Sequence, residues 1–272
     1  MRYFVVAALL PVCGALHGAS VQDAYARLYN FDFPGAHQVL DGYMASAPQD
    51  PLGPSTRAAA YLFYELDRLK ILQGEFFSND KKISGDDKLD PDPKVRVRFF
   101  ESVDLAQKLA ETRLQKHPGD PNSLFSFCIT EGLKTDYTAF IEKRQLRSLS
   151  SARKAHNYAV ELLQRDPTFV DAKLTTGITE YLVGSLPFFI RWFVKFDQTQ
   201  GNKETAVRNL ESVAQDGRYL GPFARILLSI IHLREKRIPQ SVNLLEGLVR
   251  DYPGNALLRS ELQKLKAQEA RK

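Results

Sequence analysis

The sequence contains little cysteine, with two residues among 272. Cys13 lies in an apolar segment at the start of the chain, so Cys128 alone remains once that segment is removed. An intramolecular disulfide is then excluded, and the fold must be stabilised by packing. No alternation of apolar and polar residues extends far enough to predict a β-strand. The pattern therefore favours packed helices.

Motifs that carry catalysis or metal binding are also lacking. No two histidines beyond residue 20 lie at the i, i+4 spacing that places two imidazoles on one helix face. No Gly-x-Ser-x-Gly elbow, phosphate-binding glycine loop or dinucleotide fingerprint occurs. Five aspartates between Asp80 and Asp92 are interrupted by Lys81, Lys82 and Lys88, which favours a solvated loop over a calcium site. We therefore expect no catalytic residue, no metal and no cofactor.

The first twenty residues have the order of an export signal. Arg2 is followed by an apolar run from Tyr3 to Leu16, and the small residues Gly18 and Ser20 come next. The run is shorter than the roughly 20 residues that a bilayer span needs. We predict a secretory signal peptide over residues 1–20 and an exported protein, periplasmic or associated with a bacterial cell envelope. The cysteine in the segment leaves lipid attachment as an alternative.

The charge balance is mildly basic, with 37 Lys and Arg against 32 Asp and Glu. Lys143, Arg144 and Arg147 form the densest internal basic group, and further basic residues lie near the carboxyl terminus. An excess this small and this dispersed is typical of solvated helix faces. We therefore expect no nucleic-acid partner.

A pattern of small residues, apolar residues and prolines recurs four times. A small residue is followed by apolar or small residues about four and seven positions later and by proline twelve positions later. The small residue lets two helices approach closely, and the proline sets a turn because it cannot continue a helix. The pattern predicts the second helices of four helix hairpins: Ala36, Leu40, Tyr43 and Pro48; Ala106, Ala110, Leu114 and Pro118; Ala155, Ala159, Leu162 and Pro167; Ser241, Leu245, Leu248 and Pro253.

These offsets resemble those of the tetratricopeptide-repeat (TPR) family. Over about residues 120–255 the chain is similar to the inclusion-body-clearance TPR proteins, on the motifs Phe127–Leu133, Asp171–Gly184, Leu186–Phe189 and Gly201–Lys203. The resemblance implies an all-α superhelix of irregular helix hairpins without catalytic residues. It implies no particular ligand, because repeat scaffolds bind many partners.

The expected organisation is one helical repeat domain over residues 21–272. A polar loop at 78–93 and an aromatic insertion at 186–203 interrupt it, and a capping helix at Asn255–Arg271 ends it. The segment Phe223–Leu233 is apolar almost all round, so we expect neighbouring helices to cover it on several sides. Cys128 occupies a small-residue position eight residues into a hairpin that begins at Pro121, which favours a buried structural thiol.

Five residues are candidates for partner binding. Glu131 and Glu180 lie near the ends of first helices, which line the concave face of such superhelices, and they would pair with a basic peptide there. Arg191, Trp192 and Phe193 lie in the segment Phe188–Phe196. That segment fits packing between hairpins, a partner-binding aromatic patch or insertion at a membrane interface.

The sequence therefore favours an exported, non-catalytic TPR-type scaffold that binds a protein or peptide in the cell envelope. No small-molecule substrate is expected. Two alternatives remain open. One is an envelope hydrolase or transferase whose composite site is assembled from distant segments. The other is a peripheral membrane protein attached through the aromatic segment at 188–196.

Overall fold

The computed structural model describes residues 19–73, 89–185 and 199–269. The body of the predicted signal peptide, most of the polar loop and the aromatic segment lie outside these ranges. Within them the chain forms eleven α-helices and no strand. The all-α fold class predicted from the sequence is confirmed.

The helices follow one another as five hairpins and a final single helix. A π-helical turn, Tyr137–Ile141, extends the first helix of the third hairpin, and a 3₁₀ turn, Val170–Ala172, precedes the fourth. The hairpins are α1 Val21–Tyr29 with α2 Phe33–Ser46, α3 Leu52–Arg68 with α4 Pro93–Lys116, α5 Pro121–Asp136 with α6 Gln145–Arg165, α7 Lys173–Ser185 with α8 Lys203–Asp216, and α9 Gly221–Arg234 with α10 Ile238–Asp251; α11 is Ala256–Glu269.

Each hairpin closes on a small residue of its second helix. Ala36, Ala106, Ala155 and Ser241 are at most 2% exposed, as the sequence pattern predicts. The first helices carry small residues of their own, and the Oγ atoms of Ser229 and Ser241 lie 2.9 Å apart. Because small side chains face each other, consecutive helices pack closely into an α-α superhelix.

The four repeat prolines lie in turns, as predicted: Pro48, Pro118, Pro167 and Pro253. Each turn repeats one hydrogen-bond pattern, shown here by the second. The N–H of His117 donates to the carbonyl of Arg113 at 2.8 Å, and the N–H of Asp120 donates to the carbonyl of His117 at 3.0 Å. Asp120 then caps α5 through the N–H of Ser123, with Pro121 in the first turn, where the missing N–H costs nothing.

The fourth hairpin, α7 with α8, has no proline at the expected position. Ala206, Leu210 and Val213 follow the repeat spacing and are fully buried, but Arg218 stands where the proline would be. The turn is held instead by Asp171. The proline pattern alone therefore missed this hairpin.

The first hairpin contacts the turns that precede and follow the last hairpin. The Tyr29 hydroxyl donates to the carbonyl of Tyr219 at 2.9 Å. The Asn255 amide donates to the carbonyl of Tyr29 at 2.9 Å, and the Tyr29 and Tyr252 rings are 5.3 Å apart. These contacts join residues about two hundred positions apart and bring the two ends of the superhelix together.

Helix α9 is covered on several sides, as its apolar sequence predicts, because Ile226 and Leu233 also pack against the cluster of α10 and α11. Ala224, Leu228 and Ile231 are buried against α8 and α10. Phe223 and Ile230 are only half-buried. The Phe223 ring lies 5.7 Å from the Phe63 ring of α3.

Candidate partner-binding face

The first helices of successive hairpins form one surface, here called the inner face. The Oγ atoms of Ser55 on α3 and Ser126 on α5 are 2.6 Å apart. The Sγ atom of Cys128 on α5 and the Oγ1 atom of Thr175 on α7 are 3.1 Å apart. With α3 on one side and α7 on the other, the third side of α5 presents Phe125, Ile129, Gly132 and Asp136, which recur at three- and four-residue spacing.

One end of the inner face is filled by aromatic side chains. Phe125 lies 4.7 Å from the Phe169 ring and stacks on Tyr219 at 5.9 Å. Tyr219 in turn lies 5.9 Å from Tyr25 of the first hairpin. We call Tyr25, Tyr29, Phe125, Phe169 and Tyr219 the filled end. A partner therefore has no access to the start of α5.

The filled end is fixed by a buried carboxylate. Asp171 is 3% exposed and accepts three backbone N–H donors, from Arg218 at 2.8 Å, Tyr219 at 2.9 Å and Leu220 at 2.7 Å. Three donors on one carboxylate satisfy its charge without a cation. Asp171 therefore holds the α8–α9 turn against the 3₁₀ turn before α7.

The other end of the inner face is open. A Cβ atom placed on Gly132 would meet no heavy atom within 4 Å. Leu182 of α7 is 59% exposed, and Ile178 is half-buried. Leu182 and Asp136 both lie about two helical turns beyond the Cys128–Thr175 contact, so they stand at a similar level on neighbouring helices. We call Gly132, Asp136, Ile178 and Leu182 the open end.

Asp136 provides the charge of the open end. Burial raises the pKa of its carboxyl to about 7. Among the described residues, none forms a hydrogen bond or ion pair with this carboxylate. A partner's cation would favour the ionised form and lower this pKa.

The two glutamates predicted for partner binding lie inside the protein. Glu131 is 4% exposed, and its Oε1 atom accepts from Gln107 of α4 at 3.0 Å and from Lys134 at 2.9 Å. Glu180 is 7% exposed and accepts the backbone N–H groups of Gln200 and Asn202, at 3.1 and 2.7 Å. Glu180 therefore positions the start of α8, and Glu131 joins α5 to α4.

The remaining predicted site residues, Arg191, Trp192 and Phe193, lie outside the described residues. Sequence reasoning missed Gly132 and Asp136. The available signal was Gly132, since a glycine inside a helix costs about 1 kcal/mol and marks a position where side-chain volume matters.

Chemistry at the other reactive groups is limited by burial. Cys128 is buried, as predicted, and burial raises the pKa of its thiol to about 11, so a reactive thiolate does not form near neutral pH. In the described part of the chain, no three His, Cys, Asp or Glu side chains are grouped as a metal site. No helix among residues 19–73, 89–185 and 199–269 combines the length and apolar character of a membrane span.

Two comparisons with known proteins found no match. No protein-family model matches the chain, and no curated protein is significantly similar to it. Membership of the TPR family therefore stays a prediction, whereas the all-α stack of hairpins is the observed fold.

Proposed function

We propose that the protein is an exported, non-catalytic scaffold of TPR type that binds a peptide segment of a cell-envelope protein at the open end. The observation that carries the proposal is a Cβ position at Gly132 with no heavy atom within 4 Å, one helical turn from the Asp136 carboxylate, which has no hydrogen-bond or ion-pair partner among the described residues. A glycine inside a helix with no heavy atom against its Cβ position leaves room for one side chain of a partner, and we call this space the slot.

The lining of the slot defines the segment that fits it. Burying a leucine-sized side chain against Ile178 and Leu182 contributes about 1.5–3 kcal/mol. A lysine or arginine four residues away on the same segment would pair with Asp136 in a partly desolvated setting. The rigid filled end keeps the slot in shape, so little entropy is lost on binding. The expected ligand is an apolar segment with one basic residue.

Two substitutions at Gly132 test the proposal. Gly132→Ala leaves the slot open, whereas Gly132→Trp fills it. Neither meets a neighbouring atom at Cβ, so both variants should fold, and alanine should raise the free energy of unfolding by about 0.5–1 kcal/mol. Peptides selected from a random display library on the Gly132→Ala protein should bind Gly132→Trp at least about tenfold more weakly by calorimetry.

Proton release on binding gives an independent readout. If the selected peptides pair a cation with Asp136, binding releases a proton and the affinity rises between about pH 6 and pH 8. Asp136→Asn should remove that rise. Equal affinity of the alanine and tryptophan variants for every selected peptide would place the binding surface elsewhere.

A further inference from the structure

The second helices of the five hairpins differ in where they begin. Helices α2, α8 and α10 each start three residues before their buried small residue, Ala36, Ala206 or Ser241. Helix α4 starts thirteen residues before Ala106, and α6 starts ten before Ala155. At 1.5 Å per residue, α4 and α6 therefore begin about 15 and 10 Å further from that small residue than α2, α8 and α10 do. We call residues 93–102 and 137–151 the projection.

Aromatic packing makes the projection rigid. Phe99 is fully buried and stacks on Tyr137 at 5.1 Å, and Phe100 lies 5.2 Å from the same ring. The guanidinium of Arg96 lies 4.9 Å above the Phe100 ring. The π-helical turn at Tyr137 therefore ties the start of α4 to the segment before α6.

The surface of the projection is basic. It carries six basic side chains against two acidic ones, a net charge of +4, and Asp90 and Asp92, which lead into α4, lower the balance at this end to +2. Glu142 joins its two halves, lying 3.8 Å from Arg96 and 3.9 Å from Arg144. The basic residues are Lys94, Arg96, Arg98, Lys143, Arg144 and Arg147, and the acidic ones are Glu101 and Glu142.

Two aliphatic side chains stand out among these charges. Leu146 is 86% exposed, the most exposed large apolar side chain in the described chain, and Val97 is 51% exposed. Helix α6 begins at Gln145, and its N-cap residue Arg144 makes no side-chain cap hydrogen bond. Arg144 and Arg147 flank this helix start.

We propose that the projection docks the protein onto an anionic phospholipid surface. Basic side chains around isolated aliphatic residues suit the interface, where headgroup phosphates meet acyl chains.

Vesicle co-sedimentation tests the docking. The purified protein should bind vesicles of equimolar phosphatidylglycerol and phosphatidylcholine, and not pure phosphatidylcholine vesicles. The combined variant Arg98→Gln, Leu146→Ser, Arg147→Gln changes exposed side chains only, so its thermal unfolding should match the parent protein. It should bind at least about tenfold more weakly, because each basic residue near such a surface contributes about fivefold.

A matched control variant carries equivalent substitutions outside the projection. Arg208→Gln, Arg250→Gln and Leu105→Ser remove the same net charge and an exposed leucine from outside the projection, and binding should stay within about twofold. Equal loss in both variants, or full binding by the projection variant, overturns the proposal. So does binding to soluble polyglutamate without binding to vesicles, which would indicate an acidic protein partner. Gly132→Trp should leave vesicle binding unchanged, so failure here is distinct from failure of the peptide slot.

Discussion

The filled end and the open end of the inner face are built from the same first helices. Along α5, Phe125 is buried beneath Tyr219, whereas Gly132, two turns later, meets nothing. The two ends differ because different segments of the chain lie over α5. At the filled end the first hairpin and the α8–α9 turn lie over α5, and no described segment covers the other end.

This contrast separates two uses of acidic side chains. Asp171 at the filled end is saturated with backbone donors, so its charge serves the fold. Asp136 at the open end has no partner among the described residues, and burial raises the pKa of its carboxyl. A saturated carboxylate stabilises a structure, whereas an unsaturated one is available to a ligand.

The largest effect on stability is expected when the hydrogen bonds of Asp171 at the filled end are removed. In Asp171→Asn, the side-chain amide would face at least one backbone N–H, and a charge-assisted acceptor is lost. We expect the free energy of unfolding to fall by about 2–4 kcal/mol in urea titrations. Hydrogen exchange at residues 218–220 should accelerate more than exchange elsewhere.

Asp41→Asn provides the comparison for that measurement. Asp41 is 71% exposed and pairs with Arg57 at 2.6 Å on the surface. Its loss should cost less than about 1 kcal/mol. Similar losses at Asp171 and Asp41 would show that the three N–H contacts do not hold the filled end.

The hairpins were predictable because their signals are local. Proline turns and small residues fall within one hairpin, and the turns at Pro118 and Pro167 lie where the pattern placed them. The α7–α8 hairpin lacks that local signal because its turn is held by Asp171, 47 residues before Arg218. A contact of that kind leaves no periodic trace in the sequence.

The site was less predictable because it depends on which neighbour each side of a helix meets. Glu131 and Gly132 are adjacent in sequence, yet Glu131 faces α4 and Gly132 faces open space. Successive residues of a helix point about 100° apart, so only the position of the neighbouring helices separates a structural carboxylate from an accessible slot. The closure of the first hairpin onto the last could not be derived from repeat spacing either.

The free energy of unfolding should depend on pH through the Asp136 carboxyl at the open end. Because the folded pKa of Asp136 lies above its unfolded value of 3.8, the folded state binds the proton more tightly. This carboxyl therefore lowers stability as pH rises from about 4 through 7. Asp136→Asn should raise the free energy of unfolding by about 1–2 kcal/mol at pH 8, after allowing for contact with water, and by nearly nothing at pH 4.

Asp136→Glu is the matched control for this pH dependence. It keeps an ionisable carboxyl at the same position, so stability should still fall as pH rises. A pH-independent difference between the asparagine variant and the parent protein would contradict the assignment of a raised pKa to Asp136.

The smallest effect is expected from one hydroxyl at the filled end. Tyr29→Phe keeps the ring against Tyr252 but removes the bond to the carbonyl of Tyr219. A buried acceptor then lacks its donor, which should cost about 1 kcal/mol in urea titrations. Tyr64→Phe is the control, because Tyr64 is 43% exposed and should change stability little. Equal effects of Tyr29→Phe and Tyr64→Phe on stability would mean that ring packing alone joins the ends of the superhelix. Apolar burial, and not the hydrogen bond of Tyr29, would then close the filled end.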